Sequence, residues 1–390
     1  MDGEDIEGPA EYDRSAVREA ARAVLEAHWV PEGYAVPNPA TYPWQWLWDS
    51  CFHAVCWAEL GDDRGLTELQ NALSVQGADG FVPHMNYVRN PGVAADLWGR
   101  DDASSITQPP MYGHAVAELV RRGVDVDEET VAKAERGLRF LLVDRHRLAN
   151  GLVALCHPWE SGADDSPRWD DFCPGGFSLD SWRRAKNQLV VPIERSPTGS
   201  PVANPAFESA SAGFNALVVF NARELATVAG RSEITGYADD LAGCLTEQWD
   251  QSLRTWTDAG MAESGSGRAR TLDGLLPVLV AAEADRIDAV AADLIDPSAY
   301  GGWCGPAGVH RKEPGFDPRL YWRGPAWPQL SYLVWVGLRR QGRHEAAGTV
   351  ASAAVRGAMR SGFSEYWDPD DGTGCGATPQ SWTALAALMA

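Results

Sequence analysis

Three carboxylates stand between two tryptophans in the stretch HPWESGADDSPRW, residues 157–169. Glu160, Asp164 and Asp165 lie there among prolines and a glycine, without the spacing of a helix or a strand. A solvated acidic loop rarely needs tryptophan, whereas partial desolvation by aromatic rings raises the pKa of a carboxyl group towards neutral pH. These residue types therefore predict a loop that gives or takes protons.

A second acid beside aromatic residues occurs near the end of the chain, where Glu365 stands in FSEYWDP. Cleavage of a glycosidic bond needs two carboxyl groups on opposite sides of the bond. One is protonated and assists the leaving group, and the other is ionised and activates water or attacks carbon. Acids from two distant segments could form such a pair, although each alone could also be a surface or capping residue.

The seventeen tryptophans indicate the kind of molecule on which such a pair would act. They cluster in loop-like segments rather than on apolar helix faces. A sugar has a C–H face that stacks on an aromatic ring and hydroxyl groups that need polar partners, so this mixture suits carbohydrate. The alternative is that the tryptophans anchor helix ends in the core. The clusters are YPWQWLWDS (42–50), DLWGRDD (96–102), PWESGADDSPRWDD (158–171), LYWRGPAWP (320–328) and EYWDPDDG (365–372).

Helical periodicity dominates the rest of the chain. In RSAVREAARAVLEAHW (14–29), Val17, Ala21 and Leu25 share one face, with charged residues opposite. About twelve such segments, as six successive antiparallel pairs, predict an all-α (α/α)6 barrel, a toroid whose inner helices line a funnel. Strand-like alternation is almost absent, and NQLVVPIE (187–194) could be a short strand or a buried loop. The predicted helices span roughly 14–29, 48–60, 64–75, 110–122, 127–143, 207–229, 234–250, 270–283, 286–294, 324–341, 343–359 and 378–389.

Long connecting segments are predicted to carry the site, because long loops in a compact domain are usually functional. We expect them to lie on one rim of the barrel and to form a cap over the active site. No Pro/Ser linker interrupts the chain, so residues 1–390 are expected to form a single catalytic domain, with 144–206 as a long loop or cap insertion. The four long segments are 30–47, 77–109, 144–206 and 295–323.

Composition argues against several classes of function. The 54 acidic residues outnumber the 33 Lys and Arg, and the net charge of −21 leaves no basic stripe for nucleic acid or an anionic membrane. No run approaches the roughly 18 apolar residues of a membrane span. The acidic N-terminus lacks the features of a secretory signal, so a cytoplasmic location is expected. The seven scattered cysteines contain no C-x-x-C pair and are expected to be free thiols.

Six motifs follow one another along the chain: YPWQWLWDSCFHAV, GFVPHM, SITQPPMYGHAV, HPWESGADDSPRW, PRLYWRGPAWP and FSEYWDPDDGTGCGATPQSWTAL. In this order they resemble the motifs of glycoside hydrolase family 63, in particular its bacterial mannosylglycerate and glucosylglycerate hydrolases. The resemblance covers most of the chain from 42 to 390, and more distant trehalases and glucoamylases share the toroid. It implies an (α/α)6 barrel and an inverting mechanism at an α-linked glucosyl or mannosyl residue. No cofactor or metal is expected.

The resemblance also assigns roles to individual residues. Asp164 matches the general acid, Glu365 matches the general base, and Asp49 matches an aspartate that holds sugar hydroxyls. We expect Asp164 to be protonated in the free enzyme, with Trp159 and Trp169 excluding water, and Glu365 to be ionised. Further contacts with the substrate are expected at Tyr42, Trp46, Trp48, His84, Gln108, Trp159, Glu160, Arg168, Trp322, Arg323, Trp327, Tyr366, Gln380 and Trp382. For Glu160 the alternative is that it orders the loop.

Two features depart from the family pattern. The family loop is commonly ESGMDNSP, and here Ala163 and Asp165 replace the methionine and the asparagine. A second acid would raise the pKa of Asp164 if both side chains point inward, and would have no effect if Asp165 faces solvent. The segment 170–206 is also shorter than in glycerate-specific relatives. The arginines available for an anionic aglycone are Arg89, Arg100, Arg168 and Arg319.

Other functions are compatible with the same fold. A sugar epimerase or isomerase on an (α/α)6 barrel would move protons with histidines, several of which lie near loops. A trehalase-like hydrolase of disaccharides would use the same two acids, whereas a non-catalytic sugar-binding protein would not need them. In each case the partner is a small carbohydrate, and the oligomeric state, including a homo-oligomer, is left open. The histidines near loops are His53, His84, His114, His157 and His310.

Overall fold

The computed structural model describes residues 12–173, 175–231, 233–261 and 265–390, and most of their regular structure is helical. The α-helices are Arg14–His28 (α1), Leu47–Glu59 (α2), Arg64–Ala72 (α3), Ala95–Trp98 (α4), Tyr112–Arg121 (α5), Glu128–Arg139 (α6), Leu179–Leu189 (α7), Ala212–Ala229 (α8), Glu233–Thr246 (α9), Ala284–Ile295 (α10), Pro328–Arg340 (α11), His344–Arg360 (α12) and Ala386–Met389 (α13). The 3₁₀-helices are Pro158–Ser161, Pro167–Phe172, Gly265–Arg268, Leu272–Leu279 and Ser381–Leu385, and Phe140–Asp144 is a π-helical turn.

Six helical segments close into an inner ring. Helix α2 packs on α5, α5 on α8, α8 on Leu272–Leu279, and this segment on α11. Helix α11 packs on Ser381–Leu385, which returns to α2. Every residue of 47–58 in α2 is buried, as is every residue of Leu272–Leu279. Segments that are buried all round belong at the centre of a protein, so this ring forms the interior of the molecule.

Six further helices wrap the ring from outside. Helix α1 packs on Ser381–Leu385, α3 on α2, α6 and α9 on α8, α10 on α12, and α12 on α11. The outer helices are amphipathic, as α1 illustrates with Val17, Ala21 and Leu25 buried at a spacing of four residues. Inner and outer segments alternate along the chain, which confirms the predicted (α/α)6 barrel.

Two of the predicted inner helices are 3₁₀-helices rather than α-helices. The prediction for 270–283 corresponds to the 3₁₀-helix Leu272–Leu279, which contains Pro277. Proline has no backbone N–H and cannot take part in a continuous α-helical hydrogen-bond ladder. The prediction for 378–389 corresponds to Ser381–Leu385, followed by the short helix α13.

Helix α7 lies within the segment 144–206, where the sequence predicted a loop. It includes the first residues of the stretch 187–194, so the prediction of a strand or loop was wrong there. Ser178 caps the helix, because its hydroxyl accepts a hydrogen bond from the backbone N–H of Ser181 and its own N–H donates to the Ser181 hydroxyl. Trp182 and Lys186, one turn apart, are buried and give α7 an inward face.

Short antiparallel strands join the rim segments in pairs. They are Trp29–Val30 (β1), Tyr34–Ala35 (β2), Gln45–Trp46 (β3), Met85–Asn86 (β4), Glu194–Arg195 (β5), Pro201–Ala203 (β6), Ser209–Ala210 (β7), Trp249–Asp250 (β8), Thr255–Trp256 (β9), Ala259–Gly260 (β10), Tyr366–Trp367 (β11) and Gly374–Cys375 (β12). The pairs are β1–β2, β3–β4, β5–β6, β7–β10, β8–β9 and β11–β12, and the described residues contain no larger sheet.

One hydrophobic core extends through both rings, from Val17 near the beginning of the chain to Met389 near its end. The seven cysteines are free thiols, as expected, and five of them are buried. Among the residues described, no helix has both the length and the apolar character needed to cross a bilayer. The single catalytic domain and the cap at 144–206 stay predictions.

The contact between α5 and α8 generates a prediction about stability. A Cβ atom at Gly113 in α5 would overlap the backbone carbonyl of Asn221 in α8. We expect Gly113→Ala to lower the free energy of unfolding by about 1 to 3 kcal/mol, because backbone cannot move aside cheaply. Urea denaturation of the purified protein measures the change.

Gly243→Ala is the matched control. Gly243 is also helical, in α9, and a Cβ atom there meets nothing within 4 Å. We expect this variant to be as stable as the parent or more stable by about 0.5 to 1 kcal/mol, because alanine favours a helix. Equal stability of the two variants would contradict the close approach of α5 and α8.

Candidate active site

A cavity of about 810 Å³ opens on the side of the barrel where the inner segments begin. Asp49 lies in the first turn of α2, Gln108 precedes α5, Trp322 precedes α11, and Trp382 lies in the last inner segment. The cavity therefore brings together residues from distant parts of the chain. The predicted site residues that line it are Tyr42, Trp46, Trp48, Asp49, His84, Gln108, Trp159, Asp164, Trp322, Glu365, Tyr366, Gln380 and Trp382.

The walls of the cavity combine aromatic faces with polar groups. The indole Nε1 atoms of Trp46 and Trp322 and the Oε1 atom of Gln380 are buried, and none has a hydrogen-bond partner among the described residues. Buried polar groups are normally satisfied. These three atoms are closed off from the cavity. Asp49, Gln108 and Glu365 line it beside rings that can stack, and this mixture suits a ligand that has both C–H faces and hydroxyls.

Trp322 is held in an unusual conformation. Its φ angle of 58° lies in the left-handed region, which is rare for a bulky residue. Its ring stacks on Trp327, with 3.7 Å between centroids and 8° between planes. Trp327 is fully buried and does not line the cavity, so the predicted substrate contact at this position is corrected. Trp327 instead supports the wall from behind.

Glu160 lies outside the cavity lining, so of its two expected roles, ordering the loop or contacting a sugar hydroxyl, the structure favours the first. It is fully buried, and its carboxylate forms an ion pair with Arg145. The same carboxylate accepts hydrogen bonds from the backbone N–H groups of Cys156, at 2.6 Å, and Thr107, at 3.1 Å. Glu160 therefore connects the acidic loop to the turn that carries Gln108.

The two arginines of the motifs are engaged in ion pairs rather than exposed to the cavity. Arg168 is buried between Asp258, at 3.2 Å, and Asp273. Arg323 pairs with Asp170. The prediction that they contact substrate is therefore corrected.

The other arginines considered for an anionic aglycone are also absent from the cavity lining. Arg89 lies 3.5 Å from Glu32, Arg100 lies 2.7 Å from Asp102, and Arg319 lies 2.9 Å from Asp368.

Glu365 lies just before β11, and its side chain is buried in the cavity wall. Its Oε1 accepts a hydrogen bond from the Tyr42 hydroxyl at 3.1 Å, and its Oε2 accepts one from the backbone N–H of Ala377 at 3.0 Å. Burial outweighs these bonds and raises the pKa of Glu365 to about 7. The carboxyl group is therefore poised to take a proton near neutral pH, rather than being fully ionised there as expected from the sequence.

Asp164 follows Pro158–Ser161 and is held by two side chains. Its Oδ2 accepts a hydrogen bond from the Trp159 indole at 3.1 Å and lies 2.5 Å from the Lys186 Nζ. Burial is the largest single influence on the pKa of Asp164 and would raise it. The charge of Lys186 and the hydrogen bonds that the carboxylate accepts together outweigh burial, so the pKa is lowered. The expectation of a protonated Asp164 in the free protein is therefore corrected. Trp169 lies outside the lining and donates a hydrogen bond to the Ala163 carbonyl.

Asp165 points inward and lines the same cavity. Its carboxylate also pairs with Lys186, so one ammonium group contacts both acids. Burial and the charge of Asp164 raise the pKa of Asp165 to about 7. Of the two alternatives for this departure from the family loop, the inward orientation is the one that the structure has. The expected rise in the pKa of Asp164 does not follow, because the pKa of Asp165 is raised instead.

Asp49 adds a fourth carboxyl group to the cavity. It lies in the first turn of α2 and is buried. Burial raises the pKa of Asp49 to about 7, with a further contribution from Glu365 and an opposing one from His53. Asp49 can therefore donate or accept a hydrogen bond, depending on its protonation, when a hydroxyl group lies beside it.

Comparison with known proteins decides the family. The model of the mannosylglycerate hydrolase MGH1-like glycoside hydrolase domain matches residues 42–383. The chain belongs to this family. It is 30% identical to a mannosylglycerate hydrolase of Thermus thermophilus over 91% of this chain and 96% of that protein. It is also 29% identical to a glucosylglycerate hydrolase of Mycolicibacterium hassiacum, over 90% and 92% of the two chains.

Solved structures of the family agree with this assignment. The family 63 mannosylglycerate hydrolase of Thermus thermophilus in complex with Tris and D-glycerate superposes with a TM-score of 0.82 at 26% identity, over 96% of this chain and 99% of that one. The same enzyme in complex with glucose gives a TM-score of 0.81 at 28% identity, over the same shares of the two chains. This protein is therefore a glycoside hydrolase with the family 63 barrel.

Membership of a hydrolase family overturns the epimerase alternative. The positions of the histidines in this family 63 protein do not support it either. Among the five histidines considered, His84 alone lines the cavity. Its Nδ1 lies 2.5 Å from the Ser104 hydroxyl, and burial lowers its pKa to about 3. His84 is therefore neutral in the working range. His53, His114, His157 and His310 lie outside the lining.

One side-chain cluster has the composition of a metal site. His114, Glu118 and Glu224 bring ligand-type atoms within 4.8 Å of one another, and none of them lines the cavity. Arg121 lies 2.6 Å and Arg340 lies 2.8 Å from the Glu224 carboxylate. Because these arginines already neutralise the carboxylates, the cluster fits an ion-pair network that ties α5, α8 and α11 together.

The cavity residues of the family 63 site that sequence reasoning missed include both of the permanently charged cations among its described residues. Lys186 and Arg183 both line the cavity and both lie on α7. The signal was present in the serine cap and in the apolar spacing of Trp182, Ala185 and Leu189, which together favour a helix.

The structural role of Glu160 generates a second prediction. Glu160→Gln leaves the buried guanidinium of Arg145 without its counter-charge, so we expect the free energy of unfolding to fall by about 3 kcal/mol. Glu208→Gln is the control, because Glu208 is half-exposed and pairs with His146, and its loss should cost less than about 1 kcal/mol. An unchanged stability of Glu160→Gln together with a raised KM would restore Glu160 as a substrate contact.

Proposed function

We propose that this family 63 member is an inverting hydrolase of a small α-glucoside or α-mannoside, of which glucosylglycerate and mannosylglycerate are the leading substrates. Asp164 is the general acid and Glu365 the general base. The observation that carries the proposal is that these two acids, from distant segments, line one aromatic-walled cavity. Two separated carboxyl groups around a sugar-sized space are what inversion by a single displacement requires.

The environment of Glu365 supports its role as the base. An inverting base takes a proton from the attacking water, and its efficiency is greatest when its pKa lies near the working pH. The pKa of Glu365 is raised to about 7 by burial. The Tyr42 hydroxyl and the Ala377 N–H fix its orientation, so the carboxylate can hold a water in one position.

The polar groups around the base suit the sugar whose bond is cleaved. Asp49, Gln108 and Gln380 line the cavity together with Trp48 and Trp382. The Oε1 of Gln108 accepts a hydrogen bond from the Trp48 backbone N–H, so its NH₂ group is the part left for a ligand. Carboxyl and amide groups between two indole rings can bind the hydroxyls of a sugar while its C–H face stacks.

A glycerate aglycone would need a cation, and α7 supplies one. Arg183 lines the cavity and is exposed, with no acidic partner among the residues that the structure describes. Lys186, the other lining cation with a permanent charge, is already occupied by Asp164 and Asp165. A guanidinium group binds a carboxylate in a bidentate arrangement, so we assign the aglycone carboxylate to Arg183.

The segment 144–206 acts as the cap of a single catalytic domain in this proposal. Its helix α7 places Leu179, Arg183, Lys186 and Asn187 along the cavity. The same segment carries Asp164, so the general acid and the aglycone contacts belong to one part of the chain. A cytoplasmic location stays a prediction.

Asp164→Asn and Glu365→Gln test the proposal directly. Each variant should lose about 10²- to 10⁴-fold in kcat, because one proton transfer is removed from the transition state. The measurement is release of sugar from mannosylglycerate and glucosylglycerate, with unfolding curves that show an intact fold.

Asp180→Asn and Glu345→Gln are the matched controls, since both residues are exposed and lie on helices, and they should keep full turnover. Full activity in either site variant would overturn the proposed roles.

Proton NMR of the first product formed by the unmodified enzyme should show the β-anomer, and early release of the α-anomer would exclude inversion.

Arg183→Met tests the aglycone assignment. We expect KM for both glycerate glycosides to rise about 10-fold or more, because a charge-assisted bidentate contact is lost. KM for trehalose or a methyl glycoside, which carry no carboxylate, should not change. Arg184→Met is the control, since Arg184 is exposed on the same helix outside the lining. Equal effects on charged and neutral substrates would show that Arg183 does not bind the carboxylate.

A further inference from the structure

Asp164 and Asp165 are adjacent acids whose carboxylates converge on one cation. The Nζ atom of Lys186 lies 2.5 Å from Asp164 Oδ2 and also donates to Asp165 Oδ1. All three side chains line the cavity, and the ammonium group is nearly inaccessible to solvent. The two carboxyl groups also lie within hydrogen-bonding reach of each other, so a proton can pass between them.

The charges of this cluster favour one shared proton. Two ionised carboxylates and one ammonium group would leave a net negative charge in a buried place, which both desolvation and mutual repulsion oppose. Asp164 Oδ2 accepts hydrogen bonds from Trp159 and Lys186, and such donors stabilise its ionised form. The proton therefore resides on Asp165. This agrees with the lowered pKa of Asp164 and the pKa of about 7 at Asp165.

We propose that Asp165 stores the proton that Asp164 delivers to the leaving group, and that Lys186 positions both carboxyl groups for this transfer. The inference rests on the proposed role of Asp164 as general acid. Asp165 and Lys186 act through Asp164, so they are positioning residues. The aspartate that replaces the common family asparagine thus gives the acid a proton reserve.

The proton transfers balance over one turnover. The O–H proton of Asp165 passes to the Asp164 carboxylate, and Asp164 gives a proton to the glycosidic oxygen. The bond between that oxygen and C1 breaks, and its electron pair stays on the oxygen. On the other face, Glu365 takes a proton from a water molecule as the water oxygen bonds to C1. Glu365 then releases this proton to solvent, and the acid pair, Asp164 and Asp165, takes one up. Substrate and water therefore give two products with no net gain or loss of protons by the enzyme.

The enzyme is expected to be active only in a narrow range of pH, because few groups around the acid pair titrate near neutrality. Burial raises the pKa of Tyr42 and of Tyr321, so both stay neutral, and it lowers the pKa of His84 to about 3 and of His157 to about 4. Arg183 on α7 is a permanent cation. Glu365 titrates near 7 and must be ionised, whereas the acid pair must hold its proton. The dependence of kcat/KM on pH is therefore expected to be a bell centred near pH 7, with Glu365 on the acidic limb and the pair on the basic limb.

The experiment compares pH profiles of kcat/KM in the complete enzyme. In Asp165→Asn, Asp164 faces Lys186 without a second acid, so it gives up its proton more easily. The basic limb should then move to lower pH by about one unit or more. In Lys186→Met the counter-charge is lost, the two acids hold the proton more strongly, and the basic limb should move to higher pH. Lys186→Arg keeps the charge and should restore the profile of the unmodified enzyme.

Controls separate this inference from the proposed function. Asp180→Asn and Arg184→Met remove an acidic and a basic charge at exposed positions of α7, and both should leave the pH profile unmoved. If Asp164→Asn is inactive but the profile of Asp165→Asn superposes on that of the unmodified enzyme, the proton store is overturned and the general acid stands. If Asp164→Asn is active, the proposed function fails as well.

The lysine variants keep the test decisive if Asp165→Asn does not fold. A shift to higher pH in Lys186→Met that Lys186→Arg reverses would support the shared proton. An unmoved basic limb in Lys186→Met, or a movement to lower pH, would overturn it.

Discussion

The acidic loop keeps its position because Arg168, just after Asp165, is buried between two carboxylates. One of these, Asp258, also accepts a hydrogen bond from the Ala212 N–H at the start of α8, and the other, Asp273, belongs to Leu272–Leu279. The loop is thereby fastened to two members of the inner ring. A buried charge network is costly to break, and a loop that holds adjacent acids against their repulsion needs such a fixed anchor.

Helix α7 holds the backbone of the proposed acid, Asp164, in place and also supplies the cation that pairs with its carboxylate. The Trp182 indole donates a hydrogen bond to the Asp164 carbonyl at 2.8 Å, and one turn later Lys186 reaches the carboxylates of Asp164 and Asp165. Another part of the cavity wall is stiffened by the ring of Trp327, which stacks on Trp322. A site assembled from loops is therefore made rigid both by a helix and by stacked aromatic rings.

Much of the barrel and of the cavity could be predicted from the sequence, because helical periodicity and ordered motifs are local signals. Motif membership could not separate a residue that faces the ligand from one that holds the loop. Glu160 and Arg168 show this, since their roles depend on Arg145, Asp258 and Asp273, which lie outside the motif. The prediction that Asp164 is protonated in the free enzyme was wrong for a related reason. Its pKa depends on Lys186, which lay in a stretch interpreted as a loop.

The position of α2 in the inner ring also affects the electrostatic potential in the cavity. The cavity is lined by Trp46, the N-cap residue of α2, and by Trp48 and Asp49 in its first turn, so the positive end of this helix macrodipole lies at the cavity. Such an end corresponds to roughly half an elementary charge. In a protein with a net charge of −21, this partial charge from the backbone partly offsets four buried carboxyl groups. The barrel thus contributes to the electrostatic potential that the acids experience, and leaves side chains around them free to shape the space for a sugar.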